Sequence, residues 1–304
     1  MKESVYLALD IGGSKLASGL VDQNGHILEV NVKSLLSLEG NDVIDIVMQA
    51  AHSHMNNNPA AVGVNIPGLA DAQNGIWLES CFSGIRNIPI AGMLSDALHL
   101  PVFIDNDVNN CALAESMFGA CKGVSDFIWL TVSNGCGGAL FLNGRIYSGI
   151  RNTSGELGHI IVEERAEYAL PCGCGNKGCL EAQAAGPGIA KRYAGLTGTE
   201  ADAESIAVMA NSGDAAAQKI FYDEGVYIGR ALAAAINIIN PEKVVLGGGV
   251  AKSFGLFEHS MAKTIKNHTY RLASEHVHVG RTSLGYHAAL IGAASLAIHN
   301  MQYL

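Results

Sequence analysis

The chain opens on Val5-Tyr6-Leu7-Ala8-Leu9, an apolar run of strand length, and a second run, Leu16 to Val21, follows after Asp10-Ile11-Gly12-Gly13-Ser14-Lys15. A third, His26 to Val32, lies beyond Asp22-Gln23-Asn24-Gly25. Asn-Gly between apolar runs is the strongest short hairpin signal, so the first glycine loop joins two strands. The arrangement returns in mid-chain. Phe127 to Val132 predicts a strand, Ser133-Asn134-Gly135-Cys136-Gly137-Gly138 a glycine loop, Ala139 to Leu142 a second strand, and Asn143-Gly144 a turn into Arg145-Ile146-Tyr147. Two halves with one opening imply two domains of like topology, each offering a glycine hairpin to a shared cleft.

Between the hairpins, Asn41 to Met55 predicts a helix and Ala61 to Ile66 a strand ending in the Pro67-Gly68 turn. Ser95 to His99 predicts a short helix, and Pro101 to Ile104 a strand closed by Asp105-Asn106-Asp107. Val108 to Phe118 predicts a helix capped by Asp107 or a neighbour. Later, Gln183 to Gly213 carries helical patches, and Asp214 to Asn240 predicts a long helix stopped at Asn240-Pro241. Val244 to Leu246 predicts a buried strand running into Gly247-Gly248-Gly249, and Ala288 to His299 an alanine-rich helix suited to close packing.

Placing the glycines between strands decides against two familiar phosphate motifs. The dinucleotide fingerprint and the Walker loop both need a helix directly after the glycines. A glycine turn between strands still presents backbone N–H groups to phosphate oxygens, with the Ser14 hydroxyl beside them. Asp10, at a strand end, is a candidate Mg²⁺ ligand, direct or through water. A plain tight turn accounts for the glycines but not for this aspartate. Asp107, just past another strand, stands where open α/β sheets bind ligands, or it serves only as a helix cap. The bare backbone of Gly247 to Gly249 would accept a flat ring or a phosphate.

Composition narrows the class further. With 304 residues, 49% of them hydrophobic, 15% charged and 36 of them glycine, the chain fits a two-domain cytoplasmic α/β enzyme. A net charge of −9 argues against a nucleic-acid partner, and no apolar run approaches a membrane span.

Cysteine usage brings in a metal. Cys172, Cys174 and Cys179 lie within one glycine-rich stretch, Cys172-Gly-Cys-Gly-Asn-Lys-Gly-Cys179, and His159 in Gly155-Glu-Leu-Gly-His is a natural fourth ligand for structural Zn²⁺. Free thiols are the alternative; a disulfide is disfavoured by the lack of a secretory leader and by an odd total of seven cysteines. Cys81, Cys111, Cys121 and Cys136 are scattered and read as small core residues. Glu156 and Glu181 flank the cluster. Either both are solvated, or the metal orders a loop whose glutamates accept hydrogen bonds from a polyhydroxyl ligand.

With these pieces placed, the chain resembles the ROK family of sugar kinases and repressors over nearly its full length. The resemblance rests on Asp10-Ile-Gly-Gly-Ser-Lys15, Ile66-Pro-Gly68, Asn106-Asp107, Gly155-Glu-Leu-Gly-His159, Cys172 to Glu181, and Asn240-Pro241 with Gly247-Gly-Gly249. It implies an α/β fold of two actin-like, ribonuclease-H-like domains with a cleft between them. Residues 1–118 with the terminal helix at about 288–304 would form one, and 119–287 the other, which carries the zinc loop. It further implies an ATP- and Mg²⁺-dependent cytoplasmic homodimer that phosphorylates a free hexose or hexose derivative. Asp107 would be the general base. Asn106, Gly68, Glu156, His159 and Glu181 would bind sugar, with His159 also on zinc beside Cys172, Cys174 and Cys179. Asp10, Gly12, Gly13, Ser14, Lys15, Asn134 and Gly135 would face the phosphates, and Gly247, Gly248 and Gly249 the adenosine.

Three departures qualify the match. Ser133-Asn134-Gly135 stands where the family usually has Gly-Thr-Gly, exchanging a hydroxyl for an amide that still donates a hydrogen bond. Ser14 replaces a threonine and keeps its hydroxyl. The stretch Ser80 to Asn87 lacks the usual Pro-Asn-Leu sugar motif, so the sugar is left open. The rival expectation is a sugar-binding regulator without turnover; the chain starts at the first strand, without the helix-turn-helix of ROK repressors.

Overall fold

The computed structural model describes residues 4–80 and 83–303, so Cys81 lies outside the described residues. The chain divides into two compact units, one of residues 1–123, 145–154 and 283–304, the other of residues 124–144 and 155–282.

In the first unit, β1 (Val5–Ile11), β2 (Lys15–Asp22) and β3 (Ile27–Ser34) form an antiparallel meander. After α1 (Asn41–Ser53), β4 (Val62–Ile66) adds to β1 in parallel. A small antiparallel sheet follows, of β5 (Leu69–Asp71), β6 (Ile76–Glu79) and β7 (Arg86–Ile88), whose strands are too short to show a period in sequence. The segment expected as a short helix at Ser95–His99 is the last part of a longer one, α2 (Ile90–Leu98), which starts after Pro89 and buries Ile90, Leu94 and Leu98 at a four-residue spacing. β8 (Val102–Asn106) then joins β4 in parallel and runs straight into α3 (Asp107–Met117). The main sheet order is β3-β2-β1-β4-β8.

One face of that sheet packs Leu7, Leu9, Val62, Val64 and Ile66 against Val43, Val47, Ile90 and Leu94 of α1 and α2. The terminal helix of the chain, Ala288–Met301, closes the other face through Ala293, Ala294 and Ala297. It lies so close that a Cβ added to Gly63 would sit 1.7 Å from the Ala293 carbonyl oxygen.

The second unit repeats the plan. β9 (Phe127–Val132) and β10 (Cys136–Leu142) form the glycine hairpin, and Asn143 and Gly144, with φ of 53° and 77°, make the left-handed turn before β11 (Arg145–Ile146), whose residues count with the first unit. The polar stretch after the metal loop folds as α4 (Leu180–Ala184), α5 (Gly186–Thr197) and α6 (Ala203–Asn211). The long helix α7 (Ala215–Ile239) starts at Asp214, whose carboxylate accepts from the Ala217 N–H at 2.7 Å, and stops at left-handed Asn240. β12 (Lys243–Gly247) pairs with β9 in parallel. α8 (Phe254–His268), the short α9 (Arg271–Ser274) and β13 (His278–Arg281) complete the unit, and β13 is parallel to β12. The order β10-β9-β12-β13 therefore matches β2-β1-β4-β8 in both sequence and direction. The terminal helix of the first unit is α10 (Ala288–Met301).

Backbone proximity gives a direct test of packing. Gly63→Ala should destabilise the protein by about 3 kcal/mol or more, because a Cβ 1.7 Å from the Ala293 carbonyl oxygen cannot be accommodated without moving α10. Gly92→Ala, in α2 with open space around its would-be Cβ, should instead stabilise by about 0.5–1 kcal/mol. Urea unfolding of the two variants beside the parent protein measures both.

Candidate functional site

In the first unit the parallel register sets the site. Asp10 of β1 stands beside Asn65 of β4, and Asn65 beside Asp105 of β8. Asn65 is fully buried. Its amide donates to Asp10 Oδ1 and to the Ala289 carbonyl, each at 2.8 Å, and its oxygen accepts from Asn110 Nδ2 at 2.8 Å. This clamp was not anticipated from sequence. Its signal was an asparagine inside the otherwise apolar run Ala61 to Ile66, where an unpaired amide would be costly.

Beyond Asp10, the Gly12–Lys15 loop closes with a Gly12 N–H to Lys15 carbonyl bond of 2.9 Å, which leaves Gly13, Ser14 and Lys15 exposed. Gly68 has φ of 97°, and any Cβ there would lie 2.3 Å from the Glu79 carbonyl oxygen. Its own carbonyl accepts from Asn106 Nδ2 at 2.8 Å. Asn106, not Asp107, caps α3, since its Oδ1 accepts from the Val108 N–H at 2.9 Å. Asp107 is the first residue of the helix. Burial and the Asp10 charge push Asp107 to about 7, against the opposing effect of backbone N–H groups at the helix start. Asp10 and Asp105 are likewise raised by burial. Asp10, Asp105 and Asp107 are thus all disfavoured as anions, chiefly by burial.

In the second unit the Ser133-Asn134-Gly135 loop spans β9 and β10, closed by Ser133 N–H to the Gly135 carbonyl at 2.8 Å. The Gly186 N–H at the start of α5 donates to the Ser133 carbonyl at 2.7 Å. Gly247 ends β12 and Gly248 follows it, both against this hairpin. A Cβ on Gly247 would meet the Trp129 ring at 2.3 Å, and Gly248 has φ of 89° with the Val132 carbonyl 2.3 Å from its would-be Cβ. Packing within the unit thus already requires glycine at both positions.

His159, Cys172, Cys174 and Cys179 place their donor atoms within 4.8 Å of one another. Cys174 Sγ and Cys179 Sγ are 3.6 Å apart, and Cys172 Sγ is 3.7 Å from His159 Nδ1. A tetrahedron of Zn–S bonds of about 2.3 Å has edges of about 3.8 Å, so the set fits Zn²⁺ as the chain folds. Burial and the neighbouring thiols push Cys179 up to about 12, which a cation would reverse. Glycines make the loop possible. A Cβ on Gly158 would lie 2.0 Å from the Cys136 carbonyl oxygen, one on Gly178 1.8 Å from that of Glu163, and Gly155 has φ of 84°.

The flanking carboxylates differ. Glu156 lies 3.9 Å from His159 Nε2, the nitrogen turned away from the thiols. Glu181, in the first turn of α4, accepts from the Cys136 N–H at 3.1 Å through Oε2, with Oε1 3.9 Å from Cys172 Sγ. Each unit thus gathers its own share of the expected residues. Cys111, Cys121 and Cys136 are buried, as expected.

The ROK family profile matches residues 6–300. A glucokinase from Halalkalibacterium halodurans is 29% identical over 97% of this chain and 96% of its own length. The structure of a ROK family glucokinase from Streptomyces griseus in complex with glucose and AMPPNP superposes with a TM-score of 0.83 at 27% identity, covering 96% of this chain and 99% of that one. A ROK family transcriptional regulator homologous to the MLC protein of E. coli superposes with a TM-score of 0.90 at 25% identity, covering 98% of this chain and 78% of that one. Kinases and regulators both stand among the relatives, on one two-domain actin-like fold. Matched across almost all of its length, and with both glycine hairpins in place, the chain belongs to the ROK family.

Proposed function

We propose that the chain is an ATP- and Mg²⁺-dependent kinase that phosphorylates a free hexose or hexose derivative, on its 6-hydroxyl. The observation that carries this reading is Asp107, set at the start of α3 directly after the Asn106 cap and pushed to about 7 by burial and the Asp10 charge. A sugar hydroxyl is a poor nucleophile. A carboxylate titrating near neutrality takes its proton as the oxygen bonds to the γ-phosphorus and the bond to the bridging oxygen of ADP breaks.

The other residues orient and bind. Asn106, Gly68, Glu156, His159 and Glu181 would hold the sugar; Gly12, Gly13, Ser14, Lys15, Asn134 and Gly135 would hold phosphates; Gly247, Gly248 and Gly249 would border the adenosine. Asp10 would hold Mg²⁺, which when bound neutralises phosphate charge. Cys172, Cys174, Cys179 and His159 Nδ1 would hold Zn²⁺, which when bound orders the loop. His159 Nε2 then stays available to a sugar hydroxyl, beside Glu156. The family resemblance also supports a cytoplasmic homodimer. A sugar-binding regulator is the second reading, supported by Ser133-Asn134-Gly135 and by the likeness to the transcriptional regulator.

Release of ADP from Mg-ATP over a panel of hexoses, N-acetylhexosamines and ketohexoses should reveal turnover on one sugar. Silence across the panel with sugar binding retained by calorimetry would favour the regulator. Asp107→Asn should lower kcat by about 10³-fold with sugar affinity retained; a variant keeping most of its activity would remove Asp107 from the role. The base works when deprotonated, so kcat/KM should climb as pH rises through about 7. Stability moves the other way. A folded pKa above the unfolded value favours the fold below the unfolded pKa, and this advantage is lost as pH rises through about 7. Asp107→Asn should therefore melt above the parent protein at pH 8, by a margin that vanishes towards pH 4.

A further inference from the structure

Glu181 stands between two structures with different expected duties. Behind it, Cys179 begins α4 and the Leu180 N–H donates to the Ile160 carbonyl at 2.8 Å, so the first turn of the helix is tied to the metal loop at its root. Glu181 Oε1 lies 3.9 Å from Cys172 Sγ, a second approach to the same cluster. Ahead of it, Oε2 accepts from the Cys136 N–H at 3.1 Å, where the 133–135 loop enters β10. The carboxylate lies directly against the loop, since a Cβ on Gly135 would lie 2.7 Å from that same oxygen and displace it.

We propose that Glu181 is a positioning residue that couples the Cys/His cluster to the Ser133-Asn134-Gly135 loop, so that metal occupancy sets how well this loop holds nucleotide phosphate. The proposal rests on the kinase reading for its ligand, a nucleoside triphosphate or diphosphate. When the cluster is filled, Cys172 and Cys179 are held at fixed separation and α4 starts from a fixed point. The carboxylate then stays on the Cys136 N–H and keeps the loop in one shape. When it is empty, the thiols separate, the first turn of α4 is released, and the loop loses its only side-chain acceptor from that direction among the described residues. Coupling between two binding sites is reciprocal, so nucleotide must tighten the metal by the factor by which the metal tightens nucleotide.

The test is a thermodynamic cycle on the full chain. Mg-AMPPNP and Mg-ADP affinities are measured by calorimetry before and after removal of Zn²⁺ with a chelator, in the parent protein and in Glu181→Ala. Zn²⁺ affinity is read separately by competition with a chromogenic chelator. Removing the metal should weaken nucleotide binding by about fivefold or more in the parent protein. Glu181→Ala with its metal in place should show a loss of similar size, and chelation should then add nothing. A structural role alone would leave the effect of chelation intact in the variant, and that result overturns the proposal.

Gly135→Ala supplies an independent arm should Glu181→Ala fail to fold. Its new Cβ pushes on Glu181 Oε2 from the loop side, so Zn²⁺ affinity should fall several-fold without any nucleotide present. Asn134→Ala, in the same loop, should leave Zn²⁺ affinity unchanged. Unaltered Zn²⁺ affinity in Gly135→Ala overturns the coupling. Failure of the kinase reading looks different, because the parent protein would then bind no nucleotide while Gly135→Ala still weakened Zn²⁺.

Discussion

Parallel pairing of β1, β4 and β8 is the constraint on which the first unit depends. Each strand points its C-terminal end the same way, and the register brings Asp10, Asn65 and Asp105 into one cross-strand row. Both carboxylates resist burial, and each is offset by hydrogen bonds: Asn65 donates to Asp10, while Asn109 Nδ2 and the Asn106 N–H donate to Asp105. A one-residue slip of β4 would turn Asn65 to the other face and bury an unpaired amide there. The clamp reaches beyond the sheet, because Asn65 also binds the Ala289 carbonyl and Asn110, which joins α10 and α3 to the same point. Geometry around the acids and packing of the terminal helix are thus one problem with one solution.

In the second unit a different device does similar work. Its β12 ends in glycines rather than an acid, and beside its core stands a loop that gathers three thiols and an imidazole. Ionised thiols at this spacing would repel one another, and a cation would relieve that repulsion. Tight backbone contacts at Gly155, Gly158 and Gly178 bring the loop onto β10 and the 161–163 segment before any metal is considered. The metal would then fix the thiols and the first turn of α4 on a loop that these contacts have already brought close. Glu181 carries that order one step further, to the glycine hairpin.

Much of this was legible in the residues. Both hairpins, the long helix from Asp214 to Asn240, and the terminal helix follow from apolar period, Asn-Gly turns and caps, which are local signals. The Cys/His set was readable because the three thiols sit within one short stretch of chain. Less legible were β5, β6 and β7, strands of three or four residues that exist only by pairing with one another. The start of α2 was missed because Pro89 and the buried stripe Ile90, Leu94, Leu98 matter only once there is a sheet to pack on.

By itself, then, the sequence determined the elements with a strong local period, the duplication of the hairpin, and which residues are chemically able to bind metal, phosphate or sugar. Tertiary structure decided which of them act together. Asn106 rather than Asp107 became the cap, because its side chain also reaches the Gly68 carbonyl on the neighbouring turn. Asp107 acquired its raised pKa from burial and from Asp10, a residue 97 positions earlier in the chain. Two of the glycines at the end of β12 are also required by Trp129 and by the Val132 carbonyl. Each of these outcomes depends on contacts between segments far apart in sequence, and a local pattern carries no information about what will be brought beside it.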